Sequence, residues 1–299
     1  MDTVERVFYA IAKDNLHTRR EIADALGLSF VTVTKTVYTL ISAGLISQIG
    51  KNESDVGRKS DFLDVSPSAS VLLINLCGEN LSYFYSYLCD SSSGIVSLPY
   101  LDSLDFADNL LILINHIKKH VSATPLSVAV AVPGEIVGGR ISNAYITDYP
   151  GFDIISMFNG KGITIDIMMS AANAVEASCL YSVNDAFISV SKATWGTFGR
   201  GRIERWGNIT VDSRNLLSFD KAICSSSNEN IIADYSLRLI NTIDHVISPE
   251  RILFSCDRIS DERIDIMRTT SAKLVKVDTN EMILDGLMEL AVKDILRKI

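Results

Sequence analysis

At 299 residues the chain is about twice the usual single-domain length, which predicts two domains or more and cores that need no disulfide or metal staple. Its 47% hydrophobic and 21% charged residues exclude long disorder, and five cysteines without a C-x-x-C pair exclude a disulfide framework or a Cys-rich zinc site. The net charge of −8 is uneven: residues 1–66 carry eight Lys/Arg against nine Asp/Glu, and residues 67–299 carry 20 against 27. The first fifth, with seven basic against five acidic residues in 13–59, is the stretch a nucleic acid would find least repulsive. The N-terminus is acidic where a secretion signal is basic, and no apolar run approaches ~18 residues. The expected location is the cytoplasm, with no membrane partner.

Val4, Val7, Phe8 and Ile11 form one apolar stripe of a short helix that stops near Asn15. Thr18 and Glu21 make a capping box for a second helix with Ile22, Ala23 and Leu26 inward. Gly27 supplies a turn and Leu28 fills the corner. Ser29 caps a third helix, whose stripe Val33, Val37, Leu40 and Ile41 runs to Gly44. Three short helices with a glycine turn between the last two have the layout of a helix-turn-helix.

The third helix leaves Phe30, Val31, Thr32, Thr34, Lys35 and Tyr38 outside its stripe, mostly near its N-terminal half. Side chains at that end of a recognition helix reach base edges in the major groove. Threonine methyls and Val31 suit thymine methyls, threonine hydroxyls suit bases or phosphates, and Lys35 suits a guanine or a phosphate. Arg19 and Arg20 are placed to hold backbone phosphates. The bland alternative is a helical bundle with a solvated face, but such a face rarely exposes Phe30, Val31 and Tyr38 together. Next come a short strand, 45–49, a polar loop, 50–57, and an alternating strand, 61–65, which read as a β-hairpin wing. Lys51, Arg58 and Lys59 give the wing a basic element suited to a minor groove, although charged hairpin loops also occur without DNA.

The run from Arg20 to Ile49, containing E-I-A-D-A-L-G-L-S-x-x-T-V-T-K-x-V-x-x-L-I-x-x-G-L-I, resembles the N-terminal domain of regulators in the ROK family (repressors, open reading frames, kinases). Gly57-Arg58-Lys59 resembles the G-R-R-P or G-R-K-P that closes the wing there, with Ser60 in place of the proline.

Residues 67–299 read as an α/β body. Strand candidates span 71–76, 81–88 and 95–98, a helix spans 105–120, and a buried strand, 127–132, ends in Pro133-Gly134. A second half follows: strand 163–167, helix 172–181, strand 186–191, a Gly-rich hairpin around 196–207, helix 230–247, strand 252–255, helix 261–268, strand 273–277 and helix 280–299. The order is similar to the two-lobed, actin-like sugar-kinase fold of ROK proteins. The expected fold class is therefore α/β: a winged helix-turn-helix over 1–66, then an actin-like ROK-type domain over 67–299. Ala129 to Gly134 with Gly139-Arg140-Ile141 resembles the family's V-P-G-x-V-x-x-x-G-x-I, and 248–254 resembles its d-P-e-x-I-v-l strand. Ala172-Asn173-Ala174 resembles the end of E-N-D-A-N-A-A.

The resemblance also locates where phosphoryl-transfer chemistry is missing. The family's D-x-G-x-T phosphate turn reads Asn75-Leu76-Cys77-Gly78-Glu79-Asn80, with no Asp at its head. Aligned on Asn173, the catalytic Asp is Ala171, which cannot accept a proton. The second phosphate loop, around Ser191 to Trp195, lacks its glycines, and the E-x-G-H sugar clamp and Cys-rich zinc motif are absent. The resemblance thus implies no catalytic residue, no cofactor and no metal. His116 and His120 have metal-binding spacing but no third ligand, and Gly199-Arg200-Gly201-Arg202 reads as a hairpin turn rather than a phosphate cradle. Gly134 and Asn173 fit a vestigial ligand cleft, and turn and helix-cap needs account for both equally well.

The expected function is a dimeric, sequence-specific regulator, a repressor, that binds double-stranded DNA at an inverted repeat. The alternative is an atypical sugar kinase or sugar-binding protein with a fused DNA-binding domain. The larger domain is open to three roles: binding a small-molecule effector, answering a protein partner, or dimerising only.

Overall fold

The computed structural model describes residues 2–51, 61–77, 80–89, 94–142, 152–190, 194–198, 203–204, 210–212, 217–218, 226–267, 269 and 271–299. Arg58, Lys59, Glu79, Cys224 and the Gly199–Arg202 turn lie outside these residues, as do the side chains of Lys51 and Trp195.

Three helices open the chain: α1 (Thr3–Ala12), α2 (Arg19–Leu26) and α3 (Phe30–Ser42). Each begins on a side-chain cap. Asp2 and Glu5 form a capping box on α1, Thr18 and Glu21 form one on α2, and Ser29 Oγ accepts from Thr32 N at 3.1 Å on α3. Strands β1 (Ile46–Lys51) and β2 (Asp61–Val65) then pair antiparallel, with a register shift between Gln48 and Gly50. The second strand is tied to the helices: Leu63 N donates to His17 O at 2.8 Å, His17 Nδ1 bonds Leu63 O at 2.9 Å, and His17 stacks on Phe62 at 4.2 Å.

The body repeats one plan. Its first sheet joins β3 (Ser70–Asn75), β4 (Asn80–Tyr87), β5 (Val96–Pro99), β6 (Ser127–Val132) and β9 (Ile167–Ser170) in the order β5-β4-β3-β6-β9. The second joins β10 (Asp185–Val190), β11 (Thr194–Phe198), β12 (Ile203–Glu204), β15 (Arg251–Cys256) and β16 (Lys273–Lys276) in the order β12-β11-β10-β15-β16. In both, the first three strands in the chain pair antiparallel and the last two add in parallel. β3, β6 and β10 are buried throughout, as continuous apolar runs in a covered sheet must be. Two small hairpins, β7 (Glu135–Val137) with β8 (Arg140–Ser142) and β13 (Thr210–Asp212) with β14 (Leu217–Ser218), stand apart.

Helices α4 (Phe106–His120), α5 (Ile154–Asn159) and α6 (Ala171–Ala177) accompany the first sheet, and α7 (Glu229–Ile247) and α8 (Asp261–Asp265) the second. The last helix, α9 (Thr279–Arg297), returns from the second sheet to pack on β3, β6 and α6. There Gly286 lets two backbones meet: a Cβ on it would lie 1.7 Å from Ala174 O. The same helix reaches α1, where Lys13 pairs with Glu289 at 3.1 Å. One apolar cluster consequently runs from Val7, Ile11 and Leu40 through Leu63 and Leu73 to Leu287 and Ile295, so residues 1–66 share a core with the body.

Three expected elements shift, among them the helix expected over 172–181, which forms at Ala171–Ala177. The strand expected over 163–167 forms at Ile167–Ser170, because pairing to β6 begins at Ile167 opposite Ala129. Ile163 and Ile165 alternate inward but pack under the sheet before that pairing starts. The helix expected over 261–268 ends at Asp265.

Candidate nucleic-acid interface and inter-lobe cleft

The chain turns by 120° between α2 and α3. Gly27 makes that turn at φ +64°, a left-handed conformation that strains any side chain, and Leu28 N bonds back to Ala23 O at 3.0 Å. Burial of Val33, Thr36, Val37 and Leu40 then fixes which side of α3 faces out. Phe30, Val31 and Tyr38 are 56%, 62% and 59% exposed, and Lys35 is exposed beside them. Arg19 lies over the Tyr38 ring at 5.6 Å, so Tyr38 orients a cation at the edge of this face. Arg20 stands free of the core, with a side chain 89% exposed and Asp24 4.0 Å away.

The structure thus brings Arg19, Phe30, Val31, Lys35 and Tyr38 to one surface. The threonines behave differently from the sequence expectation. Thr32 Oγ1 hydrogen-bonds Ser29 Oγ at 2.8 Å within the cap, and the Thr34 hydroxyl is buried without a hydrogen-bond partner. Thr36, which the apolar stripe omitted, is buried and donates to Thr32 O at 3.0 Å. Glu21, which closes the α2 cap, titrates below its ordinary value. Burial pushes it up, but the Thr18 hydroxyl, the Thr18 and His17 amides and the His17 charge together outweigh that.

Where the two sheets present the carboxyl ends of their strands, a cavity of about 300 Å³ opens. Its floor is amide and hydroxyl. Asn75 Nδ2 donates to Asn280 Oδ1 at 2.8 Å, Ser82 Oγ donates to the same oxygen at 2.7 Å, and Asn75 Oδ1 accepts from Cys77 N at 2.9 Å. Thr279 Oγ1 donates to Ser189 Oγ at 3.0 Å, and Thr279 N to Ser255 Oγ at 3.3 Å. The start of α9 therefore latches both lobes. Nothing in the sequence patterns singled out Thr279 or Asn280, since their partners come from four other elements, β3, β4, β10 and β15. Asp257 and Asp278 add carboxylates to the lining, which disfavours a polyphosphate. These residues do not fit a metal-nucleotide: the position that would hold metal and phosphate is an amide already bonded within the protein.

A second depression of about 410 Å³ lies between β7 and the start of α6, lined by Ile136, Met168, Met169, Ser170 and Asn173. Gly134 is buried just before β7, where its N–H bonds Val132 O at 2.9 Å. The helix-cap role considered for Asn173 falls to Ser170, whose Oγ accepts from Asn173 N at 3.2 Å. Ala171, at the position of the family's catalytic Asp, is fully buried. His116 stacks on His120 at 4.0 Å and bonds the Tyr83 hydroxyl at 3.0 Å; among the described residues no three metal-ligating side chains cluster. Nor does any single described helix have the length and apolar character to cross a membrane.

No protein-family model matches the sequence, and no curated protein matches it. Solved structures do. A ROK family transcriptional regulator, a homolog of the E. coli MLC protein, shares 16% identity at a TM-score of 0.65, over 98% of this chain and 96% of its own. The Lmo2764 protein of Listeria monocytogenes, a putative N-acetylmannosamine kinase, shares 10% at 0.53, over 77% of this chain and 99% of its own. A ROK family glucokinase from Streptomyces griseus, in complex with glucose and AMPPNP, shares 11% at 0.52, over 75% and 100%. At these identities the likeness establishes the fold: this chain has the two-lobed α/β architecture of ROK proteins, and its resemblance to a ROK regulator extends along nearly all of it.

Proposed function

We propose that the chain is a sequence-specific DNA-binding transcriptional regulator of the ROK type, acting as a repressor. In this reading residues 1–66 form a winged helix-turn-helix with α3 as recognition helix and β1–β2 as wing. Residues 67–299 form a body that dimerises and no longer transfers phosphoryl groups. The observation that carries the reading is the outward face of α3, where Lys35 stands among exposed Phe30, Val31 and Tyr38 beside Arg19 and Arg20. Support comes from coverage, since the regulator aligns with 98% of the chain and the two kinases with 77% and 75%. Buried Ala171 and the Asn75–Asn280 bond speak against catalysis.

In a twofold dimer the two recognition helices lie about one helical turn (~34 Å) or a multiple apart, so the DNA partner is an inverted repeat. Lys35 supplies the base-facing polar group, with the Ser29–Thr32 hydroxyl pair at the start of the helix; the Thr34 hydroxyl, expected there from the sequence, is buried. Arg19, Arg20, Lys51, Arg58 and Lys59 supply phosphate contacts, which make affinity fall steeply with salt. Selection of duplexes from a random pool at two salt concentrations tests this. An inverted repeat with a steep salt slope is expected, and no enrichment at either concentration refutes it.

The 410 Å³ depression at Asn173 favours one second reading, in which the body binds a small molecule or sugar as effector. Gly134 shapes the turn that enters it. Isothermal titration with ATP–magnesium and a hexose panel separates the readings: heat with a hexose alone supports an effector site, and heat with nucleotide would restore the kinase alternative.

A further inference from the structure

The polar groups of α3 are largely spoken for. Thr36 Oγ1 donates to Thr32 O at 3.0 Å and Thr39 Oγ1 to Lys35 O at 3.2 Å. Thr32 and Ser29 hydroxyls bond each other at 2.8 Å, and the Thr34 hydroxyl is buried. What remains to meet a ligand is the Lys35 ammonium, the Tyr38 hydroxyl at the far end of the face, one hydroxyl proton of the Ser29–Thr32 pair at the edge, and the apolar surface of Phe30, Val31 and the Tyr38 ring. Tyr38 already carries Arg19 on its ring, which leaves Phe30 and Val31 as the unclaimed surface at the N-terminal end of the helix.

A base edge that offers only donors and acceptors finds few partners on such a face. In the major groove the thymine 5-methyl is the one apolar group that distinguishes a base pair. We infer that α3 selects its DNA mainly by thymine methyls, which Phe30 and Val31 contact, with Lys35 as the principal polar reader. Each half-site accordingly carries thymines opposite the start of α3, next to an acceptor-bearing base for Lys35. This inference rests on the DNA-binding reading above and adds the chemistry by which that surface discriminates.

Replacing thymidine by deoxyuridine deletes the 5-methyl and leaves every hydrogen-bonding group in place. The test is to take the duplex that the full chain enriches from a random pool and remake it with deoxyuridine at one thymine position at a time. Affinity is expected to fall about fourfold at each contacted position, the worth of one buried methyl-sized group. Val31→Ala and Phe30→Ala are expected to bring the thymine-to-uracil ratio at their own positions towards one. Lys35→Ala is expected to weaken both duplexes alike and preserve the ratio. Because Phe30 and Val31 are exposed, these variants keep the fold, and undiminished binding to the uracil duplex verifies it. Equal affinity for thymine and uracil duplexes, or an enriched site without thymine, overturns the inference while leaving the DNA-binding function standing. Binding to no duplex at all overturns both.

Discussion

Residues 2–51 hold their polar groups at helix ends and turn an apolar surface outward, whereas the two lobes bury continuous apolar strands and gather their polar groups in a cleft between them. The small unit specifies its shape by local chemistry: caps at Asp2, Thr18 and Ser29, a left-handed glycine at 27, and a face made of what is left over. The body specifies its shape by strand pairing, with one five-stranded plan built twice. In it, side chains at the strand ends are free to change while the plan persists. Asn75 and Ala171 occupy places where the sugar kinases of this fold are expected to carry aspartates, and neither disturbs the sheet. Fold and activity have different determinants in such an architecture, since topology depends on buried strands and activity on a few residues at their ends.

The sharpest way to break this contrast is to strike where the two regions share a helix. Gly286→Ala places a Cβ into the backbone of α6, so a loss of about 3 kcal/mol or more is expected in thermal or urea unfolding. A variant that melts with the parent would show that α9 does not seat there. Next in size is Lys35→Ala, expected to cost about 1–3 kcal/mol of discrimination between specific and random DNA. Arg20→Ala is its foil: its cost is spread evenly over all sequences, and the slope of log affinity against log salt falls by about one unit. If both variants behave alike, the division into base-reading and phosphate-holding residues is wrong.

A smaller effect probes the junction by pH. Burial, together with the carboxylates of Glu289 and Glu5, raises the Tyr9 hydroxyl from 10.0 to about 12. A raised folded value contributes stability that is complete below pH 10 and is lost as pH rises through about 12. Stability of the parent is therefore expected to fall between those values more steeply than that of Tyr9→Phe, measured by urea unfolding at each pH. Smallest is Lys13→Ala. It removes a solvent-exposed ion pair with Glu289 and is expected to cost 1 kcal/mol or less, about the worth of a surface pair. A larger loss would show that this pair, rather than the shared apolar core, holds the small unit to the body.

Legibility followed the range of the interactions. The Thr18–Glu21 box, the Ser29 cap and the Gly27 turn span four residues or fewer and could be read directly. The exposure of Phe30, Val31 and Tyr38 followed from the 3.6-residue period, because the stripe they avoid was complete without them. Thr36 escaped: its place on the inner side of α3 depends on packing against neighbouring elements, and its hydroxyl is satisfied only by its own helix. The start of β9 at Ile167 escaped because alternation marks an extended segment but not the residue at which a partner strand begins.

By itself the sequence determined the three opening helices with the Thr18–Glu21 and Ser29 caps, the strands that are buried on both faces, and the absence of an aspartate at positions 75 and 171, whereas α5 and its Asp153 cap went unread. These are matters of residue identity and local period. Tertiary structure alone decided the latch of Thr279 and Asn280 across the cleft, the seating of Gly286 on α6, and the withdrawal of the threonine hydroxyls from the outward face of α3. Each of these depends on which groups a fold brings within hydrogen-bond or van der Waals distance, and side-chain spacing along a chain does not encode that distance.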